Sequence, residues 1–371
     1  MPPQISVIMP AYNAAPFISA SIDSVLKQKY SDFELIVVND GSTDNTKEIV
    51  GKIKDERLKY IEKSNGGLPS ARNAGLIEAR GKYIAYLDSD DFFLEDHLGS
   101  LWTFMRDNNL AFAYAKGLMA NGQGERTGSM GEVFDKEKLE YCCYFISDMV
   151  MHRRDCLERV GRWDEGPELR YCHEDWDFFL RMADLYPPRY LDKETIISIR
   201  RGTGQLSRAF SNGAFFSGIE YVVEKRMKKW SREKKEQNGI IAPFPGYYLC
   251  LFQNNYLMAN WLSKQGIIDN QEIMKSYFLP FYGKMAIMDK NNMESWLVLA
   301  LINYLNGNKD EVGKIGTEAV KHNLKMPLKN EENVKVVFKA AVKAVIETLG
   351  KSGDTETIEK YREISREVED G

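Results

Sequence analysis

The stretch FELIVVNDGSTD, residues 33–44, contains the alternation on which the fold depends. Its first six residues, Phe33–Val38, form an apolar and β-branched run that is typical of a buried strand. The polar residues from Asp40 to Asp44 form a turn that leads into the N-cap of a helix. A buried strand that passes through a polar loop into a helix is the repeating unit of an α/β fold.

The same unit recurs on both sides of this stretch in the first hundred residues. The further strands are predicted over Ile5–Met9, Leu58–Ile61 and Tyr83–Leu87, and the helices over Ala15–Lys27 and between Pro69 and Gly81. Repeated units of this kind predict a mostly parallel, Rossmann-like sheet with right-handed crossovers and helices on both faces.

The rest of the chain changes character twice. Residues 147–206 are mixed and rich in aromatics, and a helix opens there at Glu174-Asp175. From about residue 215 the pattern is helical, with hairpins resembling tetratricopeptide units over Met293–Asn306, Asp310–Asn323, Asn333–Leu349 and Thr355–Val368. We therefore expect an α/β domain over residues 1–210 and an α-helical region over residues 211–371, whose hairpins are a candidate surface for oligomer contacts.

Composition limits the class of protein. With 371 residues, 43% of them hydrophobic, the chain is long enough for two folded domains and is not composed like a disordered protein. Its 50 Lys and Arg against 54 Asp and Glu give a net charge of −4, so no nucleic-acid partner is expected. There is no run of about 18 apolar residues and no signal-peptide pattern, which predicts a cytoplasmic protein.

Cysteine, histidine and lysine patterns restrict the sites further. The cysteines form no CxxC pair and are predicted to be reduced core residues, and the histidines lack the spacing of a zinc site. The basic stretch Lys225–Lys235 is interpreted as a solvated helix face. The alternative is peripheral contact with the inner face of a membrane or with a lipid-linked acceptor.

Polar clusters follow each of the first four predicted strands. They are Tyr12-Asn13, Asp40, Asn65 to Arg72, and Asp88-Ser89-Asp90-Asp91. In parallel sheets ligands bind beyond the carboxyl ends of the strands, so these clusters predict one binding site.

Asp88-Ser89-Asp90-Asp91 has the composition of a site for a hard divalent cation. Mg²⁺ or Mn²⁺ takes one or two carboxylates together with the phosphates of its substrate. In the alternative interpretation, Asp90 or Asp91 caps a helix over Leu94–Met105.

Two further side chains in these clusters have competing interpretations. The Asp40 carboxylate can hydrogen-bond a base or a ribose, whereas Ser42 and its neighbours favour a capping role. Arg72 lies at the start of a helix, where a cation opposes the helix dipole. This placement indicates either a ligand or a salt bridge to nearby carboxylates.

A second acidic cluster, His173-Glu174-Asp175-Trp176, lies about 85 residues after the first. A carboxylate at a helix N-terminus can be stabilised by the dipole alone, which is the alternative for Glu174. For Asp175 the flanking aromatics and the companion acidic site favour a general base.

In order, the motifs resemble those of family 2 glycosyltransferases with the GT-A fold, over residues 4 to 210. They read SVIMPAYNAAPFISASIDSVLKQ, ELIVVNDGSTDNT, SARNAGL, YIAYLDSDD, MVMHRRDCLERVGRWDE and EDWDFFLRM. The resemblance implies a metal-dependent, inverting transfer from a nucleoside-diphosphate sugar, with a UDP-sugar as first candidate. The acceptor would be a hydroxyl of a glycan, a lipid-linked or another molecule, as in polysaccharide biosynthesis.

The resemblance also implies roles by position. Nucleotide-sugar contacts fall on Pro10, Ala11, Tyr12, Asn13, Asp40, Gly41, Ser42, Arg72, Asp88 and Ser89, metal contacts to Mn²⁺ or Mg²⁺ on Asp88 and Asp90, the base on Asp175, and candidate diphosphate or acceptor contacts on Glu174, Trp176, Arg200 and Arg201. Many relatives carry a histidine in a later segment, where this chain reads IRRGTGQLS over residues 199–207. A histidine metal ligand is therefore missing, which is why the two arginines are candidates for the diphosphate.

Three other functions are weaker. A glycoside hydrolase with two carboxylates would leave the nucleotide-type loops without a purpose. A sugar nucleotidyltransferase usually has a Gly-rich phosphate loop near its start, which PAYNAAPF is not. A non-catalytic scaffold that uses the helical hairpins for partners would have no need for Asp88, Asp90 and Asp175.

Overall fold

A computed structural model describes residues 2–200, 214–233, 247–252, 255–256, 274–288, 293–321, 332–352 and 354–370. The chain forms two compact units, Met1–Ala209 and Phe210–Gly371. The described residues of the first unit are α/β, and those of the second are helical.

A nine-stranded sheet runs through the first unit. Its strands are β1 Ile5–Ala11, β2 Phe33–Asn39, β3 Leu58–Glu62, β4 Tyr83–Tyr86, β5 Phe92–Phe93, β6 Phe112–Asn121, β7 Arg126–Met130, β8 Val150–Arg153 and β9 Arg189–Arg200. Their order across the sheet is β3-β2-β1-β4-β8-β6-β9-β5, and β7 pairs with β6. All residues of β1 and β2 are buried, so both faces of the sheet are covered at its centre.

Helices connect these strands, and most follow the predicted pattern. They are α1 Ile18–Leu26, α2 Thr46–Lys52, α3 Leu68–Glu78, α4 His97–Asp107, α5 Lys136–Leu139, α6 Leu157–Val160 and α7 Glu174–Leu185. Helix α3 has Gly67 at its N-cap and a proline in its first turn, where the missing N–H has no intrahelical partner to lose.

The sheet is parallel where the sequence repeats its units and mixed elsewhere. β1 is parallel to β2 and β4, and β2 is parallel to β3. Beyond β4 the order changes, because β8 lies antiparallel between β4 and β6, while β9 runs parallel to β6. The predicted α/β class is confirmed. The mixed half is built from strands β5 to β9, residues 92–200, where the sequence has no repeated strand–helix units to impose one direction.

Helices make up the described part of the second unit. The longer ones are Ala214–Glu233, Leu279–Met288, Met293–Leu305, Lys309–Lys321, Glu332–Ser352 and Thr355–Asp370, and a π-helical turn spans Met274–Phe278. The last four of the longer helices lie where helices are predicted, and a side chain at Gly316 would place its Cβ 2.6 Å from Val345 Cγ1 of the following helix. No helix in the described ranges combines the length and the apolar character that a membrane span requires.

The five cysteines, which are predicted to be core residues, are free in the structure. Cys156, Cys172 and Cys250 are buried, and Cys142 and Cys143 are partly exposed.

Candidate active site

The loops after β1, β2 and β4 begin side by side at the carboxyl edge of the sheet. The backbone N–H of Asp40 donates to the Ala11 carbonyl at 2.8 Å, and the N–H of Leu87 donates to the Ile8 carbonyl at 3.1 Å. The structure therefore brings together the polar clusters that follow these strands.

Hydrogen bonds join the first two of these loops. Asn13 adopts a left-handed backbone (φ 51°), its N–H donates to Ser42 Oγ at 2.9 Å, and its Oδ1 accepts from the N–H of Thr43 at 2.8 Å. Ser42 thus has a role in holding the loop, whereas the adjacent Tyr12 is 47% exposed. Pro10 and Ala11 are buried within β1.

Asp40 is only 3% exposed, and its carboxylate organises the loop before α3. Oδ1 accepts from Lys63 Nζ at 2.7 Å and from the N–H of Gly66 at 3.0 Å, while Oδ2 accepts from the N–H of Gly67 at 2.8 Å. A carboxylate offers about four acceptor positions. These contacts leave one of them, on Oδ2, for a ligand.

The position of Gly41, the next residue in the chain, has no room for a side chain. Its φ is +73°, and a Cβ there would lie 2.8 Å from the backbone nitrogen of Asn65.

Arg72 is a fully buried cation at the centre of the site. Nη1 donates to Glu174 Oε1 at 2.7 Å, and Nη2 donates to Asp88 Oδ1 at 2.9 Å and to Ser147 Oγ at 2.8 Å. Burial lowers the pKa of Arg72, but the charges of Asp88 and Glu174 outweigh it and raise the pKa above its ordinary value. The structure therefore shows the salt-bridge interpretation of Arg72, and direct nucleotide contact stays a prediction.

The Asp88–Asp91 segment does not cap a helix. Helix α4 begins at His97 with Asp96 at its N-cap, so the alternative interpretation, in which Asp90 or Asp91 caps this helix, is wrong. The physical reason is that β5 pairs with β9 and separates the acidic segment from the helix.

The four residues of this segment have different environments. The Asp88 side chain is 34% exposed, and Asp90 and Ser89 are partly exposed. The Ser89 carbonyl accepts from Ser21 Oγ at 2.9 Å. Asp91 is buried, and its Oδ1 accepts from the N–H of Ile199 at 2.7 Å. The exposed carboxylates are thus those of the DxD pair.

Asp148 is a buried member of the site that sequence reasoning missed. Its Oδ1 accepts from the backbone N–H of Asp88 at 3.1 Å, which fixes the start of the acidic segment. Burial raises the pKa of Asp148, and the charges of Asp88 and Asp91 raise it further. Nothing in the local sequence ISDMVM marks this residue, because its role depends on β8 pairing with β4.

Helix α7 brings the second acidic cluster to the site. Glu174 is buried, and burial together with the charge of Asp175 raises its pKa to about 7. Asp175 is partly exposed and accepts from the N–H of Trp176 at 2.7 Å. Of the two carboxyl groups, Asp175 is therefore the one that can meet a ligand.

Trp176 has a packing role in the structure. It is buried, and its Nε1 donates to the Leu139 carbonyl at 2.6 Å. The indole thereby joins α7 to the end of α5, and a diphosphate or acceptor contact of Trp176 stays a prediction. Arg200 is the last residue of β9, and Arg201 lies outside the described residues.

Asp88 and Asp90 fit a Mn²⁺ or Mg²⁺ site whose remaining ligands come from the substrate. In the part of the chain that the structure describes, no three or more His, Cys, Asp or Glu residues form a ready ligand cluster. Mg²⁺ commonly takes one or two carboxylates and completes its shell with substrate phosphates and water. Asp88, with Oδ1 on Arg72, and Asp90 supply the oxygens that such a shared site needs.

Known proteins share both the sequence motifs and the fold. Residues 6–159 match the model of Glycosyl transferase family 2. A Haemophilus influenzae protein described as an uncharacterized glycosyltransferase is 36% identical over 182 residues, which are 48% of this chain and 71% of that protein. Chondroitin synthase of Pasteurella multocida is 34% identical over 198 residues, 52% of this chain.

Other relatives are matched over a smaller part of their length. An uncharacterized glycosyltransferase of Rickettsia bellii is 41% identical over 140 residues, 36% of this chain. The chain covers 20% of that protein and 20% of the chondroitin synthase.

The crystal structure of S. aureus TarS 1-349 in complex with UDP has a TM-score of 0.54 at 18% identity, covering 86% of this chain and 88% of that one. This similarity confirms the predicted GT-A type of fold. The motif order, the family model and the Haemophilus relative agree, and the chain therefore belongs to glycosyl transferase family 2.

Proposed function

We propose that this protein is an inverting glycosyltransferase that uses a nucleoside-diphosphate sugar, with a UDP-sugar as first choice. One observation supports this most directly. Buried Arg72 bonds Asp88 on one side and Glu174 on the other, and Glu174 is followed directly by Asp175. The partly exposed carboxylates of Asp88 and Asp175, which would serve donor and acceptor, therefore belong to one site.

The first two loops supply a fitting environment for the nucleotide. The exposed ring of Tyr12 offers a face on which a base can stack, and the remaining acceptor position of Asp40 suits an N–H of that base. Uracil presents such an N–H. The TarS structure named above contains UDP, which supports UDP as the first nucleotide to test.

The chemistry is a single displacement at the anomeric carbon. Asp175 accepts the proton of the acceptor hydroxyl as its oxygen bonds to the anomeric carbon, and the bond to the diphosphate oxygen breaks with its electrons on the leaving group. Mn²⁺ or Mg²⁺, held by Asp88 and Asp90, would supply positive charge for the leaving diphosphate. One in-line attack inverts the configuration.

The acceptor class rests on the relatives. A chondroitin synthase among them supports a glycan hydroxyl as acceptor and a place in polysaccharide synthesis. A lipid-linked acceptor, contact with the inner face of a membrane and a cytoplasmic location stay predictions from the sequence.

Calorimetry with UDP in the presence of MnCl₂, MgCl₂ or EDTA tests the donor part of this proposal. We expect UDP to bind only when Mn²⁺ or Mg²⁺ is present. The transfer itself is tested by measuring the release of UDP from UDP-sugars with and without oligosaccharide acceptors. Equally tight binding in EDTA contradicts the metal requirement. Absence of binding for UDP and for other nucleoside diphosphates contradicts the proposal as a whole.

A further inference from the structure

We propose that Arg72 and Glu174 are positioning residues that fix the base Asp175 relative to the donor-side carboxylate Asp88. This inference rests on the proposed function and assigns to Arg72 and Glu174 a role other than contact with a ligand. It is carried by a closed ring of hydrogen bonds and by one bond that leads from the ring to α7.

The ring has four members. Arg72 Nη2 donates to Asp88 Oδ1 and to Ser147 Oγ, as given above, and Ser147 Oγ donates to Asp148 Oδ1 at 3.3 Å. The same Asp148 oxygen accepts the backbone N–H of Asp88 at 3.1 Å. Asp88 is therefore held at its backbone and at its carboxylate, and its second oxygen is left for the donor side.

One bond connects this ring to the base helix. The Glu174 carboxylate, which accepts from Arg72 Nη1 at 2.7 Å, belongs to the first residue of α7, and Asp175 is the next residue. Charge-assisted bonds between buried groups are among the strongest in proteins. The direction in which α7 presents Asp175 is thus tied to Arg72.

The guanidinium itself is fixed from a third side. It lies 4.6 Å from the centre of the Trp163 ring, and the neighbouring Asn73 holds the Trp163 backbone by bonds to its N–H at 3.0 Å and its carbonyl at 2.9 Å. Because the guanidinium of Arg72 cannot move with one of its partners without breaking its contacts to the others, it keeps those partners at fixed positions relative to one another.

Glu174→Ala separates this role from a general loss of structure. The change removes the bond to α7 and leaves the ring at Asp88 intact, so donor binding and turnover respond differently. A matched control is Arg181→Met in the same helix, because Arg181 pairs with Asp177 and donates to the Val160 carbonyl without touching the ring. Glu174→Gln keeps a hydrogen-bond acceptor and serves as the conservative rescue.

The full-length variants are compared by calorimetry with UDP and MnCl₂, by UDP release from UDP-GlcNAc at saturation, and by Tm. We expect Glu174→Ala to keep the Kd for UDP within about twofold and to lose turnover by about tenfold or more. Glu174→Gln recovers most of that loss. Arg181→Met keeps turnover within about threefold of the wild type, even where its Tm falls as far as that of Glu174→Ala.

Two results overturn the inference. One is a Glu174→Ala protein that loses no more turnover than Arg181→Met at equal Tm, and the other is a parallel loss of UDP affinity and turnover. If Glu174→Ala does not fold, Glu174→Asp, which withdraws the carboxylate by one methylene, is held to the same expectations. A wild-type protein that binds no nucleotide overturns the proposed function and this inference together, whereas an active wild type leaves only the inference at stake.

Discussion

Asp175 and Glu174 are adjacent residues with opposite environments, since the first is partly exposed and the second is buried against Arg72. If Asp175 is the base, Asp175→Asn removes proton acceptance and little else. We expect kcat to fall by about 10²- to 10⁴-fold while the affinity for UDP and Mn²⁺ stays nearly unchanged. Loss of donor binding with turnover retained at saturation would instead make Asp175 a ligand-positioning group.

The carboxyl group of Glu174 predicts a pH dependence of stability. Because burial raises its pKa from 4.5 to about 7, the folded state favours the protonated form. Its contribution to the free energy of unfolding is complete below about pH 4.5 and is lost as the pH rises through 7. Wild-type Tm should therefore fall from pH 5 to pH 8 more than that of Glu174→Gln, and equal slopes for the two proteins would contradict this assignment.

Asp90 is the residue on which the metal dependence can be tested most simply. Its partly exposed carboxylate follows Asp88 by two residues, and Asp88 shares its charge with Arg72. We expect Asp90→Ala to abolish the difference in UDP affinity between MnCl₂ and EDTA and to remove nearly all transfer. A metal dependence equal to that of the wild type in calorimetry would exclude Asp90 as a ligand.

At the scale of elements, the start of α3 depends on one glycine. Gly67 has a φ of +91°, its N–H donates to Asp40, and a Cβ there would lie 2.5 Å from Arg170 Cγ. Gly67→Ala should destabilise the protein by about 1–3 kcal/mol and weaken UDP binding, as measured by denaturant unfolding and calorimetry. Gly51→Ala in α2, with no atom within 4 Å of its Cβ, is the control and should be neutral or stabilising. Equal effects of the two changes would contradict the prediction.

Local pattern predicted the elements whose signals are local. The alternation of apolar runs and polar loops predicted β1 to β4 and the helices between them, and helical spacing predicted the last four helices of the second unit. The same kind of reasoning left a capping role open for Asp90 or Asp91, because it could not find the two-residue strand β5, which pairs with the distant β9.

The site was predictable to the extent that its residues follow strands. Asp40 and Asp88 lie at strand ends, and the structure places both at one edge. Asp148 and the partners of Arg72 could not be found in this way, because they meet across 60 and 102 residues of chain. The burial of Trp176 agrees with the helical spacing of the apolar residues in α7, because that spacing places its side chain on the face of the helix that packs against the core.

On the scale of the whole molecule, the two units suggest a division of work. The residues proposed here for chemistry lie within Met1–Ala209. We expect a shortened protein that ends at Ala209 to bind UDP in the presence of MnCl₂ with a Kd within about threefold of that of the full chain. The reason is that the proposed ligand contacts lie in the first unit, so that binding needs only this unit to be folded. Circular dichroism confirms folding first. A folded shortened protein without nucleotide binding would place part of the donor site in the helical unit.

The hydrogen-bond ring around Asp88 also bears on how the protein reaches its native state. Two of its members, Ser147 and Asp148, directly precede β8, and the pairing of β8 with β4 joins residues 66 to 70 positions apart. Such distant pairings form slowly because a long loop must first be closed. During refolding, the protein should therefore gain the ability to bind UDP late, after most of its secondary structure has formed. In a refolding time course, binding of a fluorescent UDP analogue should lag behind the recovery of the far-ultraviolet circular dichroism signal. Ligand binding would then measure the fraction of molecules that have reached the native state.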